Sequence, residues 1–251
     1  MKKSRLFQVV ISIIFCLTFL NAVEAETLTV ATGEWAPYTS EAVEGYGFCS
    51  EITTAVVKEM GMDVTYEFYP WKRCEHYITK GKAWAALPYY KNPDREEKYV
   101  FSDSIAPSRS VFFYYKDKLN GVDWKTIDDL KSYKFGGVLG YGNHETLQKN
   151  GFNVDFAADE IMNLKKLRAG RIDIFPMDEL VARSLIKNNL PEEIGNFNTL
   201  SKPEAEYPLY LIVDKQNKKS VELVEQFNSA LKRIKEKGIY SKILQKYNLN
   251  E

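Results

Sequence analysis

The 251-residue chain has only two histidines, His76 and His144, and three cysteines, Cys16, Cys49 and Cys74. Neither histidine lies in a recognisable serine or cysteine constellation. The chain also has no G-x-S-x-G, no phosphate-binding loop and no H-E-x-x-H. A hydrolase needs a nucleophile beside a positioned base, so these absences exclude the common hydrolytic sites. An excess of one charge is lacking too. The 34 Lys and Arg stand against 34 Asp and Glu, which leaves no global field favouring nucleic acid. No internal repeat or low-complexity segment is present, and only KQNKK at 215–219 reads as a flexible tip.

Long apolar runs are limited to one, LFQVVISIIFCLTFL at 6–20. It is shorter than the roughly 20 residues a bilayer span needs. The basic KKSR precedes it and NAVEA follows, with small or medium side chains at Val23 and Ala25. Residues 1–25 therefore read as a secretory signal peptide cleaved near Ala25, which makes the mature chain a soluble exported protein. Loss of Lys2, Lys3, Arg5 and Glu24 leaves its charge balance near neutral. Export places Cys49 and Cys74 where a disulfide persists, and their pairing is the expected arrangement. Cys49, Cys74 and His76 match no closed four-ligand pattern, so no metal and no cofactor is assigned.

What is present is an alternation of two periodicities. LTVA at 28–31 reads as a strand, followed by a helix with Phe48, Ile52, Ala55, Val56 and Met60 at spacings of three and four. Strand 64–70, helix 71–80 and strand 84–88 continue the series. A second series follows SVFFYYK at 110–116. It comprises a helix start at Thr126 and Asp129, strand 134–138, helix 143–150, strand 152–156, helix 159–169, strand 171–175 and helix 178–189. PLYLIVD at 208–214 and two terminal amphipathic helices close the chain. The pattern predicts an α/β protein of two lobes, each a mainly parallel sheet flanked by helices. The two extended segments at 110–116 and 208–214 are expected to cross between lobes as hinge strands. Residues 26–112 with 207–251 form lobe 1, and residues 113–206 form lobe 2. Proteins of this build bind ligands between lobes.

Three stretches in this order, WAPY at 35–38, NPDREEKYVFSDS at 92–104 and AGRIDIFPMDE at 169–179, resemble the family 3 extracellular solute-binding proteins. These are periplasmic receptors serving polar amino-acid uptake. The resemblance covers nearly the whole mature chain and implies the type II periplasmic-binding fold. It also implies that Arg95 clamps a ligand α-carboxylate, that Asp178 takes the α-ammonium from the opposite lobe, and that Trp35 and Trp71 wall the ligand. Gly140, Tyr141 and Gly142 match the second-lobe loop that adds carboxylate contacts.

The residue chemistry agrees. A guanidinium meets a carboxylate through a planar fork, and an ionised Asp is an acceptor suited to an ammonium. Asp178 is equally placed to cap the helix it opens, and both roles can coexist. Tyr89 and Tyr90 stand at a strand end just before the arginine turn, where the family places small hydroxyl residues, and Arg73 in PWKRC offers a second cation. These departures bear on ligand identity, not fold.

The implied function is capture of a small carboxylate-bearing ligand, an amino acid or derivative, by a monomer that presents it to ABC-transporter membrane subunits. A receptor reporting to a membrane sensor is the alternative. A cyclic-acid dehydratase on the same fold, using Asp178 with Glu179, is a third reading.

Overall fold

The computed structural model describes residues 25–247 and Leu249. The expected signal peptide, apart from Ala25, lies outside the described residues. In chain order the elements are β1 (Thr27–Thr32), α1 (Phe48–Glu59), β2 (Asp63–Phe68), α2 (Trp71–Thr79), β3 (Ala85–Tyr89), α3 (Pro93–Lys98), β4 (Tyr99–Phe101) and β5 (Ala106–Tyr115). They continue with β6 (Lys134–Val138), α4 (Gly142–Lys149), β7 (Asn153–Ala157), α5 (Glu160–Arg168), β8 (Phe175–Asp178), α6 (Glu179–Asn189), β9 (Phe197–Thr199), β10 (Ala205–Asp214), α7 (Lys218–Glu236) and α8 (Ile239–Lys246).

The expected two-lobed α/β architecture is what forms. In the first lobe β1 pairs in parallel with β2 and β3, and in the second β6 pairs in parallel with β7. The hinge strands add antiparallel pairings. β10 runs beside β3 and β4 in the first lobe, and β5 runs beside β8 and β9 in the second. Between the lobes, residues 106–110 of β5 pair with 205–209 of β10. The chain thus crosses twice through one short ribbon, and side chains on that ribbon reach both lobes.

Burial follows the period-2 alternation of the strands. On β5, Val111 and Phe113 enter a core shared with α1 and α7, while Phe112 and Tyr114 enter a second cluster with Trp124, Phe135 and Phe152. α1 buries Phe48, Ile52 and Val56, and α7 buries Val224, Phe227, Leu231 and Ile234, at the helical spacing expected. Full burial of each such side chain contributes about 1.5–3 kcal/mol. The Thr126–Asp129 helix start is also real: a capping box opens a single 3-10 turn there.

The expected Cys49–Cys74 disulfide is not made; both are buried free thiols. The reason is topological. Consecutive residues of β1 point to opposite faces, with Val30 in the cluster that holds Cys49 and Ala31 in the cluster that holds Cys74. The sheet therefore stands between the two sulfurs, and no disulfide spans a sheet. Cys74 Sγ instead donates to the Thr32 carbonyl at 3.2 Å, and burial pushes its thiol up to about 11.

Two local differences place the site. The strand expected at 171–175 lies further on, as β8, because β5 fixes its register by setting Ser110 opposite Asp178 and Phe113 opposite Phe175. Ile174 makes only a bridge to Phe135. The charged run at 92–98 is a short helix rather than an open turn. Asn92 caps it by accepting the Arg95 N–H at 2.8 Å, and Pro93 occupies its first position.

Candidate functional site between the lobes

Asp178 sits where β8 becomes α6, and its carboxylate collects four donors. The backbone N–H groups of Leu180 and Val181 donate to Oδ1 at 3.0 Å each, which is the helix cap. Tyr38, from the turn after β1, donates its hydroxyl to Oδ2 at 2.8 Å, and Ser108 on β5 donates to the same oxygen at 2.6 Å. First lobe, hinge and second lobe thus meet on one side chain. Burial raises the Asp178 pKa despite these donors. Burial, and then the Asp178 charge, push the Tyr38 hydroxyl far up.

Aromatic rings surround this point. Trp35 stacks on Tyr38 with ring centroids 4.2 Å apart and meets Tyr90 edge-on at 6.0 Å. The Tyr90 hydroxyl lies 2.9 Å from Ser108 Oγ. Since the Ser108 proton goes to Asp178, Tyr90 is the donor of that pair. Tyr207, paired in register with Ser108 across the ribbon, packs against Tyr90 at 5.4 Å. Ser110, two residues along the same face, donates to Glu204 at 2.6 Å, and burial raises the pKa of that carboxylate too.

Arg95 belongs to an adjoining group. Its guanidinium lies over the Tyr89 ring at 4.7 Å, and its Nη1 donates to the Tyr90 carbonyl at 3.2 Å. Its Nε and Nη2 both point at Glu75 Oε1, at 3.1 and 3.0 Å. The Tyr89 hydroxyl donates to the Trp71 carbonyl at 2.9 Å, with the two rings edge-on. Gly33 lets Trp71 in: a Cβ built there would lie 2.6 Å from the indole. The adjacent residues Tyr89 and Tyr90 join this group to the Asp178 group, since one carries Arg95 and the other reaches Ser108.

The second-lobe loop is placed by the turn after β6. Gly140 there has φ of 83°, a conformation that favours glycine, and Gly142 begins α4. Tyr141 is exposed, hydrogen-bonded through its hydroxyl to Glu160, and stacked on His144. Burial, and then Glu160, raise the Tyr141 hydroxyl pKa. His144 is structural. Its Nδ1 accepts the Val138 N–H at 2.9 Å, which leaves Nε2 as donor to the Pro176 carbonyl at 3.0 Å. Arg73 is exposed on α2 with its guanidinium 5.9 Å from the Tyr69 ring, and it contacts neither Asp178 nor Arg95 among the described residues.

Sequence reasoning passed over Tyr38, Glu75, Ser108, Tyr207 and Glu204. Signals for some were present. Ser108 and Ser110 alternate about Arg109 just before the apolar run of β5, and Glu75 lies one helical turn after Trp71. Two surface concavities, about 580 and 430 Å³, lie elsewhere, beside Glu59 and Arg233 and beside Tyr46 and Tyr66. Neither includes Asp178 or Arg95. Among the described residues no cluster of metal-ligating side chains is found, and no helix is long and apolar enough to cross a membrane.

Residues 28–250 match the model of the bacterial extracellular solute-binding proteins, family 3. The chain belongs to that family. As a family 3 solute-binding protein it is an exported binding protein, not an enzyme. Asp178 accepts four hydrogen bonds from the protein itself, and its neighbour Glu179 pairs with Arg183 at 2.6 Å. The solute-binding protein is 27% identical over 226 residues to the L-cystine-binding protein TcyA of Bacillus subtilis, covering 88% of this chain and 80% of the relative. It is 27% identical to the arginine-binding periplasmic protein of Mannheimia haemolytica, covering 89% and 92%. A histidine kinase sensor domain similar to periplasmic binding proteins shares the fold at 19% identity, with a TM-score of 0.73 over 91% of this chain and 99% of that one.

Proposed function

We propose that the protein captures an amino acid or a related small carboxylate between its lobes in the periplasm and presents it, as a monomer, to ABC-transporter membrane subunits. The observation that carries this reading is the convergence of Tyr38, Ser108 and α6 on Asp178 at the lobe junction, with Trp35, Tyr90 and Arg95 close by. Relatives named for binding cystine, arginine and histidine support the ligand class. In this reading the lobes divide at 112/113 and 206/207, and export follows cleavage near Ala25.

The ligand's ammonium takes the place of a hydroxyl donor at Asp178 Oδ2, its carboxylate reaches Arg95, and its side chain lies between Trp35 and Trp71. Tyr89 and Tyr90 hold the arginine side of the site, while the Gly140, Tyr141 and Gly142 loop closes from the second lobe. Arg73 remains on the outer surface. Closure removes water from both ion pairs and strengthens them, and reopening releases the ligand. A partner needs only to distinguish closed from open.

A thermal-shift screen of the mature protein against the twenty amino acids, L-cystine, simple amines and small acids tests the reading. A ligand that binds only the folded state raises its stability, by about 2.7 kcal/mol at one hundred times its Kd. A shift with an amino acid supports capture; shifts confined to amine-free acids contradict the ammonium role of Asp178, and shifts confined to carboxylate-free amines contradict the whole reading. The sensor-type neighbour favours one alternative, a receptor that reports ligand to a membrane kinase.

A further inference from the structure

The Arg95 guanidinium is already gripped by this chain. A guanidinium presents its Nε and Nη2 protons along one edge, the edge that suits a carboxylate. Glu75 takes that edge, with Oε1 3.1 Å from Nε and 3.0 Å from Nη2. The Tyr90 carbonyl takes Nη1 at 3.2 Å, and the Tyr89 ring covers one face at 4.7 Å. Glu75 lies four residues after Trp71 on α2, hence on the same helix face. Both partners are about three-quarters shielded, with side chains 25% and 27% exposed, so the pair is not a fully solvated surface contact.

We propose that Glu75 is a built-in competitor for the ligand carboxylate, a tethered acid that occupies the binding edge of Arg95 and must be displaced before a ligand can pair there. The proposal rests on the amino-acid reading above. Glu75 then sets affinity and specificity together. A ligand offering only a carboxylate exchanges one ion pair for another and gains little. A ligand that also brings a cation near α2 recovers the displaced Glu75 and is favoured. Trp71 and Glu75 would move together, because both project from the first two turns of α2.

The test compares wild type with Glu75→Gln by calorimetric titration against the twenty amino acids, L-cystine, and the carboxylate-free amines agmatine and histamine. Glutamine keeps the shape and removes the charge. The expected result is that amino acids with uncharged side chains bind Glu75→Gln about fivefold or more tightly than wild type, while arginine, lysine and the amines gain nothing. Binding that appears only in Glu75→Gln supports the proposal equally. Unchanged or weaker binding of the uncharged amino acids in a folded variant overturns it, since Glu75 would then orient Arg95 rather than compete for it, while the amino-acid reading stands. If neither protein binds any amino acid, that reading fails and this proposal with it. Should Glu75→Gln not fold, the Arg95 Nε–H resonance of the wild type decides. A shift on adding the bound amino acid, absent with its amine, supports exchange of partners, and no shift overturns it.

Discussion

The hydroxyl of Tyr38 lies 2.8 Å from Oδ2 of Asp178, joining residues 140 positions apart across the two lobes. Ser108 on the hinge ribbon donates to the same oxygen at 2.6 Å. A polar contact at this position ties lobe geometry to the charge of one carboxylate, and several outcomes follow from it.

Tyr38→Phe removes one charge-assisted donor while keeping the ring stacked on Trp35. Loss of about 1.5–3 kcal/mol is expected, measured as a fall in urea midpoint with an unchanged slope. A variant as stable as wild type would mean that Ser108 and the helix cap satisfy Asp178 without Tyr38.

The Asp178 pKa is raised by burial above the ordinary 3.8. The folded state therefore holds its proton to higher pH than the unfolded chain does. The associated stability is fully present below the unfolded value and is lost as pH rises through the folded one. Asp178→Asn keeps the cap and removes the charge. The stability of wild type relative to this variant should fall as pH rises from below the ordinary carboxylate value to well above it, read from paired urea melts. A rising difference would show that the four donors outweigh burial.

Gly33 admits the Trp71 indole where a Cβ would come within 2.6 Å. Gly33→Ala should displace that wall, lower stability by about 1–3 kcal/mol and weaken ligand binding. Tryptophan fluorescence and a ligand titration on the same sample read both effects, and an unaltered spectrum with full affinity would place Trp71 outside the site.

Cys49 and Cys74 lie on opposite faces of the first-lobe sheet. Two thiols per mature chain should titrate in denaturant without reductant, and reductant should leave Tm unchanged. A thiol count of zero would show a bond that the sheet geometry forbids.

Much of the fold was legible because its signals are local. The apolar spacing of Phe48, Ile52 and Val56 and the extended apolar run at 110–116 are each legible within one segment. The position of β8 was not, since its register is imposed by β5, which no local pattern in RIDIF encodes. In the site, Asp178 could be read both as cap and as acid because its neighbours in sequence are a strand and a helix start. Its Tyr38 and Ser108 donors could not, as the contacts exist only once β1, β5 and β8 are assembled. The cysteine pairing failed for the same reason: compartment argues for a bond, and only the sheet shows that the sulfurs are separated. Arg95 was recognisable as a fixed cation, while its partner Glu75 looked like one more polar residue on a charged helix.

The most direct measurement is calorimetric titration of the mature protein and of Arg95→Ala with whichever amino acid gives the largest thermal shift. Saturable one-to-one binding by wild type, weakened by about 2–5 kcal/mol in Arg95→Ala, is the expected result. Equal affinity in the two proteins would contradict carboxylate capture at Arg95.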